Sequence, residues 1–320
     1  MDLVNLISKK RILVIGDSIL DEYIYGKVYR ISPEAPVPVV LKSERSFCLG
    51  GSANVAQNVI SLGARCDLIT VIGNDYAGNK VASLCSDSGI NLLPLYDGRN
   101  TTVKSRIIGN GHQIVRVDEE STYPIDKSME DDLFDLACSV LPHIDGVIIQ
   151  DYGKGMLSKQ IINRLSILFS ENSITVLSDP KDHDISKYSG SSIIKPNLTE
   201  FKHFLNIDQS TQLTIEDIRD KARELISNND VGALLITLSE NGMVYVSQDD
   251  FVSESGVKID ITDVSGAGDT VSAVFLIFLV LGLPIDACLH ASNLAGIQVC
   301  KISGAVPVNL DTLISDFNRS

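Results

Sequence analysis

The sequence predicts an α/β fold, with a mostly parallel central sheet, helices on both faces and a small β lid standing off it. Three observations carry this. Short runs rich in β-branched residues alternate with segments of helical periodicity along nearly the whole chain. The strand candidates are apolar throughout, as strands buried on both faces are. Two extended stretches break the rhythm where helices would be expected.

Taken in order, residues 11–15, 68–72, 146–150, 174–177 and 233–238 read as buried strands. Between them, residues 52–62, 77–88, 128–141, 158–169 and 215–227 carry apolar side chains at helical spacing. The most apolar run, residues 271–283, is too short to cross a bilayer, which takes about 20 residues, and reads as a buried core helix. The two interruptions are residues 23–45, with Ser32-Pro33-Glu34-Ala35-Pro36-Val37-Pro38 inside, and residues 101–118. Pairs of short strands would form a lid there. No internal repeat or low-complexity linker divides the chain, so residues 1–320 are expected to form a single domain.

Charge narrows the function. With 27 Lys and Arg against 41 Asp and Glu, the net charge is −14, which argues against nucleic-acid binding. An anionic ligand would need a local basic cluster. Residues 101–117 hold Lys104, Arg106 and Arg116 with no acid, whereas residues 119–135 hold seven acids and one Lys, as a solvated face does. The six cysteines (48, 66, 85, 138, 288 and 300) form no CxxC and no metal-ligand spacing with the five histidines. They read as free thiols in a reducing compartment, and the N-terminus lacks an export signal, so a cytoplasmic protein without membrane contact is expected.

The strongest chemical signal is Asp263-Val264-Ser265-Gly266-Ala267-Gly268-Asp269-Thr270, directly before the apolar run. Gly266, Ala267 and Gly268 would leave backbone N–H groups at the positive end of a helix, where a phosphoryl group can be held. Asp269 beside them could take a proton from a substrate hydroxyl. Equally, these residues could be a tight turn and Asp269 an ordinary cap. A carboxylate there is expected to have a lowered pKa, which phosphoryl transfer tolerates because the hydroxyl is deprotonated late.

Other candidates suit a sugar phosphate. Asp21, just past the first strand, could accept sugar hydroxyls or cap a turn. Gly50 and Gly51 would let a ligand approach the backbone, with Asn54 donating and accepting beside it. Lys104 and Arg106 share one face of an extended segment and would clamp a phosphate, or simply be solvated. Lys154, Asp179 and Lys181 follow strand ends, where open α/β sheets bind ligands. No GxxxxGK[ST], GxGxxG or GxSxG occurs, which disfavours a P-loop NTPase, a dinucleotide dehydrogenase and a serine hydrolase.

The DxxGAGDT segment, together with Gly50-Gly51-Ser52-Ala53-Asn54-Val55-Ala56, resembles the paired signatures of the ribokinase-like (PfkB) carbohydrate kinases, over essentially the whole chain. Gly16-Asp17-Ser18, Arg30-Ile31-Ser32-Pro33-Glu34-Ala35-Pro36, Asp151-Tyr152-Gly153-Lys154-Gly155, Asp179-Pro180-Lys181 and Lys195-Pro196-Asn197 are similar to the branch that phosphorylates heptose 7-phosphates in lipopolysaccharide precursor synthesis. The resemblance implies a three-layer ribokinase-like fold and transfer of the ATP γ-phosphoryl group to the anomeric hydroxyl. It implies that Lys195, Asn197, Glu200, Thr237, Ser239, Gly242, Gly266 and Gly268 serve the nucleotide. Asn197 and Glu200 would organise Mg²⁺ through water; they also read as a helix cap and its capping box. Ser239 stands where the family has Gly, which puts close backbone approach there in doubt. Asp263 and Ser265, near Gly304, would form a monovalent-cation (K⁺) site as in some relatives. A homodimer sharing lid strands is implied, with a separate phosphatase and nucleotidyltransferase in the pathway, since no HxGH pair occurs and a kinase alone is expected. Fructose 6-phosphate, ribose or a nucleoside as substrate, or a silent sugar-binding protein, stand as alternatives.

Overall fold

The computed structural model describes residues 2–257, 260–302 and 304–319. A short helix α1 (Leu3–Ile7) leads into β1 (Arg11–Gly16), and β2 (Ser18–Ile31) and β3 (Pro38–Gly51) follow as a long antiparallel hairpin. Next come α2 (Ser52–Ser61), β4 (Arg65–Val71), α3 (Tyr76–Ser88) and β5 (Asn91–Leu95), then a second hairpin of β6 (Val103–Gly109) and β7 (His112–Glu119). The alternation resumes with α4 (Lys127–Val140), β8 (Gly146–Gln150), α5 (Lys159–Glu171), β9 (Thr175–Asp179), β10 (Ile193–Ile194), α6 (Leu198–Phe204) and α7 (Ile215–Asn229). The C-terminal part holds β11 (Ala233–Thr237), β12 (Gly242–Ser247), β13 (Phe251–Ser255), α8 (Ala267–Val280), α9 (Ile285–Cys300) and α10 (Leu310–Phe317).

Nine strands form the central sheet in the order β13-β12-β11-β10-β9-β8-β1-β4-β5. Pairing is parallel from β11 to β5, and β12 and β13 add antiparallel at one edge. β1 shows why the strands read as unbroken apolar runs: Ile12 and Val14 enter one core, with α2, α8 and α9, and Leu13 and Ile15 enter the other, with α4, α5 and α7. Alternate side chains bury on opposite faces, so neither face can be polar.

The two interruptions build a second sheet, β3-β2-β6-β7, in which β2 and β6 pair in parallel. Its strands run further than residues 23–45: the ladder begins at Ser18 opposite Gly51 and Ile19 opposite Gly50. Gly50 and Gly51 therefore lie in a strand. A Cβ on Gly50 would stand 2.2 Å from the Asp21 carboxylate, and one on Gly51 2.3 Å from the Asp17 carbonyl. The close approach expected of a ligand is made by the chain itself. Gly51, at φ +59°, then turns the chain into α2.

Sequence periodicity misses β5, β10, β12, β13, α1, α6, α9 and α10. β10 is two residues long, and β13 is a partly exposed edge strand in which Ser253, Glu254 and Ser255 interrupt the apolar pattern. α9 buries small polar residues, Ser292 and Asn293, among its apolar ones, which blurs its periodicity. The apolar run is helical as expected but begins earlier, at Ala267, and its residues 269–278 are all buried.

Candidate active site

The C-terminal ends of β8, β9 and β11 and the segment after β10 open onto a cleft of about 870 Å³, closed on another side by the start of α8. Ligands of open α/β sheets bind at this end of the strands. Asp269, in the first turn of α8, is 4% exposed and lies at the centre of a hydrogen-bond network. Asn54 Nδ2 donates to its Oδ2 at 2.7 Å, and the Tyr152 hydroxyl donates to its Oδ1 at 2.9 Å. Gln150 Nε2 adds a longer bond of 3.3 Å to Oδ1 and also donates to Asp179 Oδ2 at 2.9 Å.

This corrects two expectations. The helix start was expected to lower the pKa of Asp269; instead burial pushes it up to about 7, reinforced by the Asp179 charge, while Asn54, Tyr152 and Lys195 pull it down. Loss of solvation outweighs the helix dipole here. The Asn54 amide N–H, expected to face substrate, is directed at Asp269.

Gly266 caps α8 at φ +78°, and a Cβ there would strike the Asn54 amide at 2.6 Å, so only Gly lets α2 and α8 meet at this point. The Ala267 N–H is taken by the Val264 carbonyl and that of Thr270 by Gly266. Of the expected anion hole, the Gly268 and Asp269 amides have no backbone acceptor among the described residues. Lys195 lies over them, its Nζ 3.5 Å from where a Gly268 Cβ would stand and 3.0 Å from Asp179 Oδ2. Asp179, expected to take a sugar hydroxyl, is thus buried and paired with Lys195 and Gln150.

Asn197 and Glu200 form a capping box at the start of α6. Asn197 Oδ1 accepts the Glu200 N–H and Glu200 Oε2 the Asn197 N–H, which leaves Glu200 Oε1 toward Lys181, at 3.9 Å. Burial and the Asp179 charge raise the Glu200 pKa. Both residues, Lys181 and Thr237 line the cleft. Ser239 lines it too, at φ +55°, in the left-handed region that favours Gly. Gly242, at φ +94°, has no room for a Cβ, which would stand 2.0 Å from the Glu254 carbonyl.

The structure splits the expected clamp. Arg106 turns to Asp21 in an ion pair and lies over the Tyr23 ring, so Asp21 and Arg106 satisfy each other. Lys104 has no ion-pair partner among the described residues, and burial, then Lys154 and Arg116 nearby, lower its pKa. Lys154 bonds Glu120 at 2.7 Å. Asp263 accepts the amides of Ser265 and Gly304, each at 2.9 Å. Sequence reasoning missed Gln150, Tyr152 and Asp17. Asp17 is buried and accepts the amides of Tyr152 and Lys154, tying the 151–154 loop to β1. Their positions at the C-terminal ends of strands, Gln150 and Tyr152 at and after β8 and Asp17 after β1, were the available signal.

Comparison with known proteins places this geometry. The model of the pfkB family carbohydrate kinases matches residues 9–312. Among curated relatives, a "Bifunctional protein HldE" of Helicobacter pylori (strain ATCC 700392 / 26695) is 38% identical over 93% of this chain and 64% of its own length. Another HldE, of Sulfurimonas denitrificans, is 37% identical over 92% and 62%. The chain thus spans less than two thirds of these relatives. Among solved structures, Escherichia coli phosphofructokinase-2 in complex with potassium aligns over 97% of this chain and 98% of its own, with TM-score 0.79 at 17% identity. Arabidopsis thaliana ribokinase complexed with ribose and ATP aligns over 97% and 99%, with TM-score 0.75 at 16% identity. The likeness extends the ribokinase-like fold to the whole described architecture. By the family match over nearly its full length, this chain is a pfkB family carbohydrate kinase, a phosphotransferase with an alcohol group as acceptor.

Proposed function

We propose that the chain transfers the γ-phosphoryl group of ATP to the anomeric hydroxyl of D-glycero-β-D-manno-heptose 7-phosphate, giving the 1,7-bisphosphate. The observation that carries the chemistry is Asp269, oriented by Asn54 and Tyr152 at the amide-bearing start of α8. The heptose rests on the Arg30-to-Pro36, Asp151-to-Gly155 and Asp179-to-Lys181 segments. Among the cations, unpaired Lys104 with Lys154 suits the distal phosphate, and Arg106 serves to hold Asp21 for sugar hydroxyls.

Asp269 takes the acceptor proton as the acceptor O–P bond forms and the bond to the ADP oxygen breaks. The Gly268 and Asp269 amides and Lys195 hold the migrating group's charge. The nucleotide lies along the cleft past Thr237, Ser239 and Gly242 toward the apolar end formed by Val257, Ile261 and Ile297. Glu200 lines the cleft with only Oε2 taken by the capping box, so Oε1 would hold Mg²⁺ through water, an ion that when bound neutralises phosphate charge. Asp263 accepts one amide on each oxygen, which leaves lone pairs on both, so with Ser265 it would hold K⁺ at this place. The β3-β2-β6-β7 sheet acts as the lid that excludes water. It leaves Tyr29, Ile31, Leu41 and Val117 exposed, an apolar surface that a second copy would cover.

A panel of sugars and sugar phosphates with ATP and Mg²⁺, read by ADP release, tests the substrate. The heptose 7-phosphate should turn over with the highest kcat/KM. A higher value for fructose 6-phosphate, ribose or a nucleoside would replace it with that substrate, and no turnover with any sugar would favour a silent binding protein.

A further inference from the structure

Asp269 can act as a base at neutral pH only if something offsets its burial, and the network around it shows what does. Five residues from four parts of the chain face this carboxylate: Asn54 on α2, Gln150 and Tyr152 at and after β8, Asp179 on β9, and Lys195 after β10. Asp179 opposes ionisation. Lys195 favours it, but its Nζ is 3.0 Å from Asp179, which shares the charge. Gln150 is shared as well: its single amide nitrogen serves Asp179 at 2.9 Å and Asp269 at the longer 3.3 Å. Two carboxylates on one side fix the amide with nitrogen toward them, and its Oε1 is left buried without a partner. The short donor to Oδ1 is therefore the Tyr152 hydroxyl.

We propose that Tyr152 is a positioning residue, whose hydroxyl holds Asp269 ionised and fixes its orientation toward the acceptor hydroxyl. The inference rests on Asp269 being the base. The loop is built for it. Asp17 accepts the Tyr152 and Lys154 amides at 3.0 and 3.1 Å, and Asp151 accepts the Gly153 amide at 2.8 Å. Gly155 follows at φ +87°, where a Cβ would stand 2.1 Å from the Tyr123 carbonyl, so the loop's far end is fixed as well. Tyr152 itself stays protonated, because burial and the Asp269, Asp179 and Asp21 charges push its hydroxyl well above the ordinary tyrosine range. It is a permanent donor rather than a second acid.

The test is Tyr152→Phe, which keeps the ring and removes the donor, with kcat/KM measured from pH 5.5 to 9.5. The acid limb should move up by about one pH unit, the size of one charge-assisted hydrogen bond. The variant is then about tenfold slower than wild type near pH 6 and approaches it at pH 9. A uniform loss at every pH, with the limb unmoved, overturns the inference. A second readout needs no turnover: in the ligand-free protein the Tm gap between wild type and Tyr152→Phe should widen from pH 5 to pH 8.5 and stop doing so in an Asp269→Asn background. A gap that ignores pH overturns it equally. Should Tyr152→Phe not fold, replacing all tyrosines by 3-fluorotyrosine, a stronger donor, should lower the acid limb, and an unmoved limb refutes the role of Tyr152. Wild-type turnover in Asp269→Asn would instead remove the base itself.

Discussion

At the residue scale the account turns on Asp269. The helix position, read alone, predicts an acid of low pKa; the structure holds it near 7 because α2, β8 and β9 enclose it. Two outcomes follow. Asp269→Asn, which keeps the shape and the Asn54 contact region, should lower kcat by at least about 10²-fold with KM little changed, the lower end of general-base contributions. In the wild type, kcat/KM should fall on the acid side with an apparent pKa near 7, and a limb near 4 would show that the base is not buried as described. The sign for stability is opposite. The folded chain keeps a proton on Asp269 up to about pH 7, against 3.8 for an unperturbed carboxylate, so this group contributes a loss of stability as pH rises through that window. With a pKa of about 7 the base is only about half ionised at neutral pH, and the ionised form is the one the fold disfavours. Asp269 and its role were legible as a motif; its pKa was not, because burial comes from elements 90 to 215 residues away in sequence, around Asp179 and Asn54.

At the element scale, the start of α8 and the β11–β12 turn shape the cleft. Gly242 illustrates how little freedom the turn has: Gly242→Ala would push a Cβ into the Glu254 carbonyl at 2.0 Å while φ is +94°. It should cost about 2 kcal/mol or more and weaken ATP binding, seen as a lower melting temperature and a raised KM for ATP. The β1, β4, β8, β9 and β11 strands were legible because burial on both faces leaves unbroken apolar runs. The lid was legible as a break in the alternation but not in its length, since Ser18 to Glu22 and Phe47 to Gly51 pair as part of the same ladder. Nor could spacing tell that Arg106 would turn to Asp21 rather than to a ligand: strand periodicity puts Lys104 and Arg106 on one face, and only the parallel pairing of β6 with β2 sets Asp21 beside Lys104 and Tyr23 beside Arg106.

At the scale of the whole molecule, a net charge of −14 and an anionic substrate are compatible because Lys104, Lys154, Lys181 and Lys195 are gathered around one end of the sheet. Lys104→Glu should therefore raise KM for a sugar phosphate by at least about tenfold and leave KM for a neutral sugar nearly unchanged in a steady-state comparison. If a second copy covers the exposed lid surface as proposed, Leu41→Glu should turn a dimer into a monomer in light scattering, and a wild type that is already monomeric would contradict that part of the proposal. The central claim, phosphoryl transfer by Asp269 to the anomeric oxygen, is tested most directly by ³¹P NMR of the product made from D-glycero-β-D-manno-heptose 7-phosphate, ATP and Mg²⁺. The account predicts a new anomeric phosphate signal beside the retained 7-phosphate with the wild type, formed at least about 10²-fold more slowly by Asp269→Asn. A phosphate on any other carbon, or equal rates for the two proteins, would contradict it.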